Sequence, residues 1–287
     1  MADPFYVGDG LTVFSADLLD ALPLLEPGSI DAVVTSPPYA MQRKSTYGGV
    51  PEKDYPDWTV AWMDALRPAL KDDGSVIINI RPHIKNGQIS DYVLRTRLAL
   101  RDAGWCELEE LIWHKKGGAP LGSIARPRRT WESLLWFGKH GRAYSSPKSA
   151  GQYREGVKSG RGRQGPHIAR SLADAPGGSW SGVARVPDVV EMSTRLNAND
   201  SDLNRHPAPF PWQLAEWCAK LICPPGGTVL DPFAGSGSTA IAALHNGFQS
   251  VAIEREPEYA QMIVDRYSAE LAKVDSTLEL GLVNAES

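Results

Sequence analysis

The 287-residue sequence predicts an α/β protein with a mostly parallel, doubly wound sheet and helices on both faces. Three observations lead there. Short apolar runs rich in β-branched residues alternate with stretches of helical apolar spacing. Two of these runs end in unusual turns, TSPPY at 35–39 and DPFAGSGST at 231–239. Between the two alternating halves, the segment from about 141 to 202 is dominated by Gly, Ser, Arg and Pro and has no clean period, as expected of an insertion.

In chain order, LTVFSAD (11–17) reads as a strand ending on Asp17, and LLDALPLL (18–25) as a helix. IDAVVTS (30–36) is a second strand. Residues 57–71 have helical spacing and lead through DDG into the strand SVIINI (75–80). Residues 91–104 form a helix that Gly104 stops. Strands follow at 107–116 and 133–139. After a Pro-rich lead from 204 come a helix (211–223), the strand TVLD, a Gly-rich turn opening a helix, a strand (249–256) and a last helix from 257. Residues after about 274 read as a tail. The domain boundaries expected are 1–140, 141–203 and 204–273, with the tail at 274–287.

Bulk properties narrow the classes. Hydrophobic content of 42% and charged content of 22% suit a globular protein. No run approaches the roughly 18 apolar residues of a membrane span, and MADPFYVGDG is not expected to be a signal peptide. Cys106, Cys218 and Cys223 lack paired spacing and read as reduced core thiols, with no metal expected. The net charge of −4 conceals an uneven distribution. Residues 115–170 hold 13 Lys and Arg against 2 Glu, a net +11, and the remainder carries −15. A concentrated positive segment suits a phosphate backbone; a solvated basic loop is the plainer reading.

The turn after TVL has chemical content. Asp231 closes a strand, Gly235 and Gly237 let the backbone turn tightly and approach a ligand, and Glu254 closes the next strand, an acid placed to hold two ribose hydroxyls. The full G-x-G-x-x-G fingerprint of dinucleotide sites is missing, so a ligand without a pyrophosphate fits better, S-adenosylmethionine (SAM) above all. In Ser36-Pro37-Pro38-Tyr39 the prolines stiffen the backbone and remove two N–H donors, which implies a need for fixed geometry. In isolation the tetrapeptide also fits a polyproline-like recognition turn.

Together, TSPPY and DPFAGSGST resemble the DNA amino-methyltransferases, which transfer methyl from SAM to the N4 amine of cytosine or the N6 amine of adenine. Ser36, Pro37, Pro38 and Tyr39 match the catalytic tetrapeptide. Asp231, Pro232, Phe233, Gly235 and Gly237 match the SAM signature, and Thr35, before the tetrapeptide, and Ser238 and Thr239, after the signature, are further cofactor-binding candidates. HPAPFP (206–211), LIWHKK and RTWESLLWF are similar to further family elements, and the resemblance covers nearly the whole chain. The catalytic motif precedes the SAM motif, which looks like the circularly permuted β arrangement with an inserted target-recognition region.

The resemblance implies a Rossmann-like SAM-dependent methyltransferase fold and SAM as cofactor. Asp17 would accept from the adenine amino group of SAM, in preference to Asp9 on spacing, and Glu254 would hold the ribose. Phe233 and Phe210 would line the pocket. Tyr39 would stack on an extruded base while Ser36 Oγ and the Pro37 carbonyl hold its amine. Ser at the first position favours N4-cytosine over N6-adenine. Arg126, Arg128 and Arg129 are candidates to grip phosphates, Arg161, Arg163 and Arg170 to reach bases, and 45–58 to form a lid. Double-stranded DNA is the implied partner, with no membrane; a cognate restriction endonuclease and a homodimer stay open. RNA or a protein amide as substrate, and a non-catalytic DNA-binding module, are the competing readings.

Overall fold

A computed structural model describes residues 3–41, 49–116, 126–147, 186–193 and 211–285. Its elements are β1 (Tyr6–Gly8), β2 (Leu11–Ser15), α1 (Leu18–Ala21), β3 (Ile30–Thr35), α2 (Tyr55–Leu66), β4 (Leu70–Ile80), β5 (Ile84–Lys85), β6 (Gln88–Ile89), α3 (Tyr92–Asp102), β7 (Cys106–Lys116), β8 (Trp131–Gly138), β9 (Val189–Ser193), α4 (Trp212–Ile222), β10 (Thr228–Asp231), α5 (Ser238–His245), β11 (Gln249–Glu254) and α6 (Pro257–Ala285). Among the described residues nine strands form one sheet in the order β1-β2-β11-β10-β3-β4-β8-β7-β9. The block from β2 to β4 is parallel throughout, and β7 pairs β9 in parallel. β8 runs antiparallel between β4 and β7.

Every residue of β3 is buried, as a central parallel strand covered on both faces requires. Alternation along it divides the core. Val33 packs with α1, α2 and α3 on one face, and Ala32 and Val34 pack with α4 and α5 on the other. A third cluster seats α6 on the β2 and β11 end through Ala260, Ile263 and Tyr267. The expected doubly wound α/β fold holds.

Several local expectations are corrected. β2 ends at Ser15, and Asp17 caps α1 by accepting from Leu19 N at 3.0 Å. The helix expected over 18–25 is one turn, then a 3-10 turn at Leu22–Leu24 with Pro23 near its start, because proline has no N–H to continue an α-helix. The helix expected over 57–71 spans 55–66; Pro68 has no N–H to continue the helical ladder, and β4 begins at Leu70, not 75. A hairpin of β5 and β6 was missed. Its Asn-Gly signal is there, with Asn86 at φ 50° and Gly87 at φ 76°, but strands of two residues leave no period to read. β1, only three residues long, was missed for the same reason.

β9 lies inside the segment expected to be irregular, and it extends the main sheet through Ile112↔Val189 to Lys116↔Ser193. Residues just beyond the expected boundary at 140 also join the body, where Tyr144 N donates to the Asp73 carbonyl at 2.7 Å and Ser146 N to that of Leu221 at 2.7 Å. The expected tail after 274 continues α6 to Ala285.

Leu230 is fully buried on β10, between β3 and β11. Leu230→Ala is expected to destabilise the protein by about 2–5 kcal/mol in urea unfolding, because flanking strands cannot close on the cavity.

Candidate active site

From β3 the chain crosses through α2 to β4 on one side; from β10 it crosses through α5 to β11 on the other. The chain therefore leaves the carboxyl ends of β3 and β10 toward opposite faces of the sheet, a topological switch point, where open α/β sheets hold ligands. TSPPY follows β3 and DPFAGSGST follows β10, so the fold brings together motifs nearly 200 positions apart.

Asp231 joins them. Its Oδ1 accepts from Thr35 Oγ1 at 2.7 Å and from Phe233 N at 3.0 Å, and its Oδ2 from Thr239 Oγ1 at 2.8 Å. Burial pushes its carboxyl above the ordinary value, and these three donors oppose the shift. Glu254, at the end of β11, accepts from Gly235 N at 2.8 Å and Glu256 N at 2.9 Å. Burial also raises its carboxyl, with the two amides opposing. Gly237 precedes α5 at φ 81°, where a Cβ would stand 3.2 Å from Ile263, so both strain and space exclude a side chain.

A cavity of about 140 Å³ opens over this junction. Of the predicted residues, Asp17, Ser36, Pro38, Asp231, Pro232, Phe233, Gly235, Ser238 and Glu254 line it. Thr35, Pro37, Tyr39, Gly237 and Thr239 are not on its wall; Thr35 and Thr239 stand behind it and hold Asp231. Asp9 is not on the wall either, and sits in the turn between β1 and β2. Phe210 lies outside the described residues.

Val50, Trp58, Ser236, Ile253 and Arg255 are lining residues that sequence reasoning missed. Trp58 is the most telling. Residues 45–58 were expected to form a lid, yet Tyr55–Trp58 is the first turn of α2; residues 42–48 lie outside the described ones. Its ring centroid is 5.5 Å from that of Phe233, and that of Trp62 is 5.4 Å from Phe233 on another side. An apolar aromatic wall facing buried carboxylates, with backbone amides between, fits SAM, whose adenine is flat and whose ribose donates hydrogen bonds.

Behind the Ser-Pro-Pro-Tyr turn lies a polar cluster that no sequence motif announced. Tyr39 Oη donates to Glu132 Oε2 at 2.8 Å. Asn79 Nδ2 lies 2.9 Å from that same oxygen, 3.1 Å from Tyr39 Oη and 3.3 Å from Ser36 Oγ. Lys115 pairs with Glu132 Oε1, and Arg81 stands 3.9 Å from it. Burial, and then Glu132, push the Tyr39 phenol well above its ordinary value. Among the described residues Asn79 Oδ1 is buried without a partner, an arrangement costing about 1–3 kcal/mol that the rest of the cluster must offset. In the sequence Glu132 stood just before the strand expected at 133–139, within RTWESLLWF, with no role assigned to it.

The basic segment is less available than its charge suggests. Arg126 donates to the Gly87 carbonyl and Arg129 to that of Pro82, so both brace the β5–β6 hairpin. Lys115 is committed to Glu132, and Lys116 pairs with Glu191 on β9 at 2.9 Å. Arg128 is exposed. Arg161, Arg163 and Arg170 lie outside the described residues.

The raised pKa of Asp231 fixes a sign. A folded-state carboxyl above its unfolded value contributes stability at low pH that is lost as pH rises through the raised value. The Thr35 hydroxyl offsets part of that loss. Thr35→Val is therefore expected to destabilise the protein more at pH 8 than at pH 4 in urea unfolding, by about 1–3 kcal/mol where Asp231 is ionised; equal losses at both pH values would contradict the assignment.

Residues 30–265 match the N6/N4 methyltransferase family, described as DNA methylase. The Type II methyltransferase M.PvuII of Proteus hauseri is 25% identical over 92% of this chain and 85% of its own length. M.XycI of Xanthomonas campestris pv. cyanopsidis is 27% identical over 92% and 90%. Among solved structures, the PvuII DNA methyltransferase (cytosine-N4-specific) superposes with a TM-score of 0.69 at 23% identity, covering 94% of this chain and 95% of that one. The M1.HpyAVI–SAM complex gives 0.60 at 18% identity, covering 89% and 98%. These structures share the fold, and the family match spans both halves of the site: the chain belongs to the N6/N4 family of SAM-dependent DNA methylases.

Proposed function

We propose that the protein methylates the N4 amine of cytosine in duplex DNA, acting on a base swung out of the helix. The chief support is that Ser36 lines the same cavity as Asp231 and Glu254, which brings the turn that would hold the amine within reach of the residues that would hold the cofactor. SAM, when bound, supplies an electrophilic methyl group. Each Glu254 oxygen keeps a lone pair beyond its amide partner for a ribose hydroxyl. Asp17 caps α1 through Oδ1, and Oδ2 remains for an amino group. Phe233 and Trp58 offer apolar walls to the adenine, and Phe210 is assigned to the same pocket.

The cytosine amine is a weak nucleophile because its lone pair is delocalised into the ring. Ser36 Oγ and the Pro37 carbonyl, each accepting one amine hydrogen, would localise that lone pair and aim it at the methyl carbon. The rigid Pro37-Pro38 backbone holds the carbonyl in place, so much of the acceleration is positional. Tyr39 stacks on the extruded base, since the amine is out of reach within the helix. A neutral serine at the first position supports cytosine over adenine. The +11 segment over 115–170 supports a nucleic-acid substrate, and the region 141–203, apart from the part that joins the sheet, is assigned to target recognition. The Type II relatives support a role in DNA modification beside a cognate restriction endonuclease, in the cytoplasm. No helix among the described residues is long and apolar enough to cross a membrane.

Ser36→Ala is expected to lower the methyl-transfer rate by about 100-fold or more while SAM affinity stays within a few-fold; lost SAM binding would contradict this division of roles. Digestion of methylated DNA to nucleosides, followed by mass spectrometry, should yield N4-methylcytosine. N6-methyladenine in its place would refute the base assignment, and no label in any DNA would refute the activity.

A further inference from the structure

We propose that Glu132 is a positioning residue for methyl transfer, setting the hydrogen-bond directions of the catalytic turn through Tyr39 and Asn79; this rests on the reading above. Glu132 is 5% exposed, and as a carboxylate beside Lys115 and Arg81 it accepts hydrogen bonds and donates none. Each group 2.8–2.9 Å from its Oε2 is therefore a donor. Tyr39 gives its single hydroxyl hydrogen to Glu132, so its oxygen only accepts from other groups. Asn79 must present its amide nitrogen to Glu132. One amide hydrogen goes there, and the other is directed at Ser36 Oγ and Tyr39 Oη, 3.3 and 3.1 Å away.

Asn79 Oδ1, without a partner among the described residues, agrees with this orientation. An amide at liberty to rotate would turn to satisfy its oxygen; facing an acceptor-only carboxylate, it cannot. Ser36 Oγ thus accepts from Asn79, which occupies one of its lone pairs and leaves the second for the substrate amine. The side chains at both ends of the Pro37-Pro38 step, Ser36 and Tyr39, are held by one carboxylate on β8, the strand beside β4. Glu132 does not line the cavity, so it acts through these two residues rather than on substrate.

The test is a double-mutant cycle on single-turnover methyl transfer, with SAM affinity measured by calorimetry on the same preparations. Glu132→Gln keeps the shape but gives Asn79 and Tyr39 a side chain that can also donate. The transfer rate should fall about 10- to 100-fold with SAM affinity within twofold. Tyr39→Phe should fall comparably, and the double variant should be no slower than the slower single one, since both remove one device. Should Glu132→Gln fail to fold, Asn79→Ala, which leaves Glu132 paired with Lys115, carries the same expectation. A wild-type rate in Glu132→Gln, a parallel loss of SAM affinity, or strictly additive effects would each overturn the proposal. A wild-type protein that methylates no DNA would instead sink the functional reading beneath it.

Discussion

The hydrogen bond from Thr35 Oγ1 to Asp231 Oδ1 joins residues 196 positions apart, and the rest of the site depends on it. Thr35 is the last residue of β3 and Asp231 the last of β10. These strands are parallel neighbours, and their ends mark where the sheet changes winding direction. By holding the strand ends together, the bond sets one motif beside the other. Asp231 extends the junction to α5 through Thr239 and to the loop through Phe233 N, so one carboxylate fixes the crevice on three sides.

The site contains two kinds of buried acid, and the difference follows from their surroundings. Among the described residues Asp231 and Glu254 accept from hydroxyls and backbone amides. Their carboxyls are raised because neutral donors offset only part of the desolvation. Such groups keep spare acceptor capacity on the cavity wall. Glu132 instead faces Lys115 and Arg81 and takes hydrogen bonds from Tyr39 and Asn79. Its acceptor capacity is directed inward, at the back of the catalytic turn. One set of acids lines the cavity, and the other lies behind the Ser-Pro-Pro-Tyr turn.

The basic segment separates composition from surface. Counted along the chain, Lys115, Lys116, Arg126 and Arg129 belong to a strongly positive stretch. In the fold, two of them pair with Glu132 and Glu191, and two cap carbonyls of Gly87 and Pro82. A formal charge count cannot distinguish a cation that meets a partner's phosphate from one that braces its own backbone, because that depends on which strand lies alongside.

Alone, the sequence determined the features whose physics is local. The alternation of apolar runs settled the class of fold, because side-chain period follows from helix and strand geometry. The Gly-rich turn after Asp231 and the Pro-Pro step after Ser36 were legible because those residues restrict or free the backbone wherever they occur. Elements too short for a period, such as β1, β5 and β6, were not; nor was β9, which stands in the Gly-, Ser- and Arg-rich segment and joins the sheet by pairing with β7. Tertiary structure alone decided the partners. Asn79 and Glu132 meet because β4 and β8 pair antiparallel in the register that sets Asn79 opposite Leu134, two residues along from Glu132. Trp58 reaches the cavity because α2 packs over the end of β10. Hydrogen-bond partners and cavity walls are properties of register and packing, and those arise only when distant segments share one core.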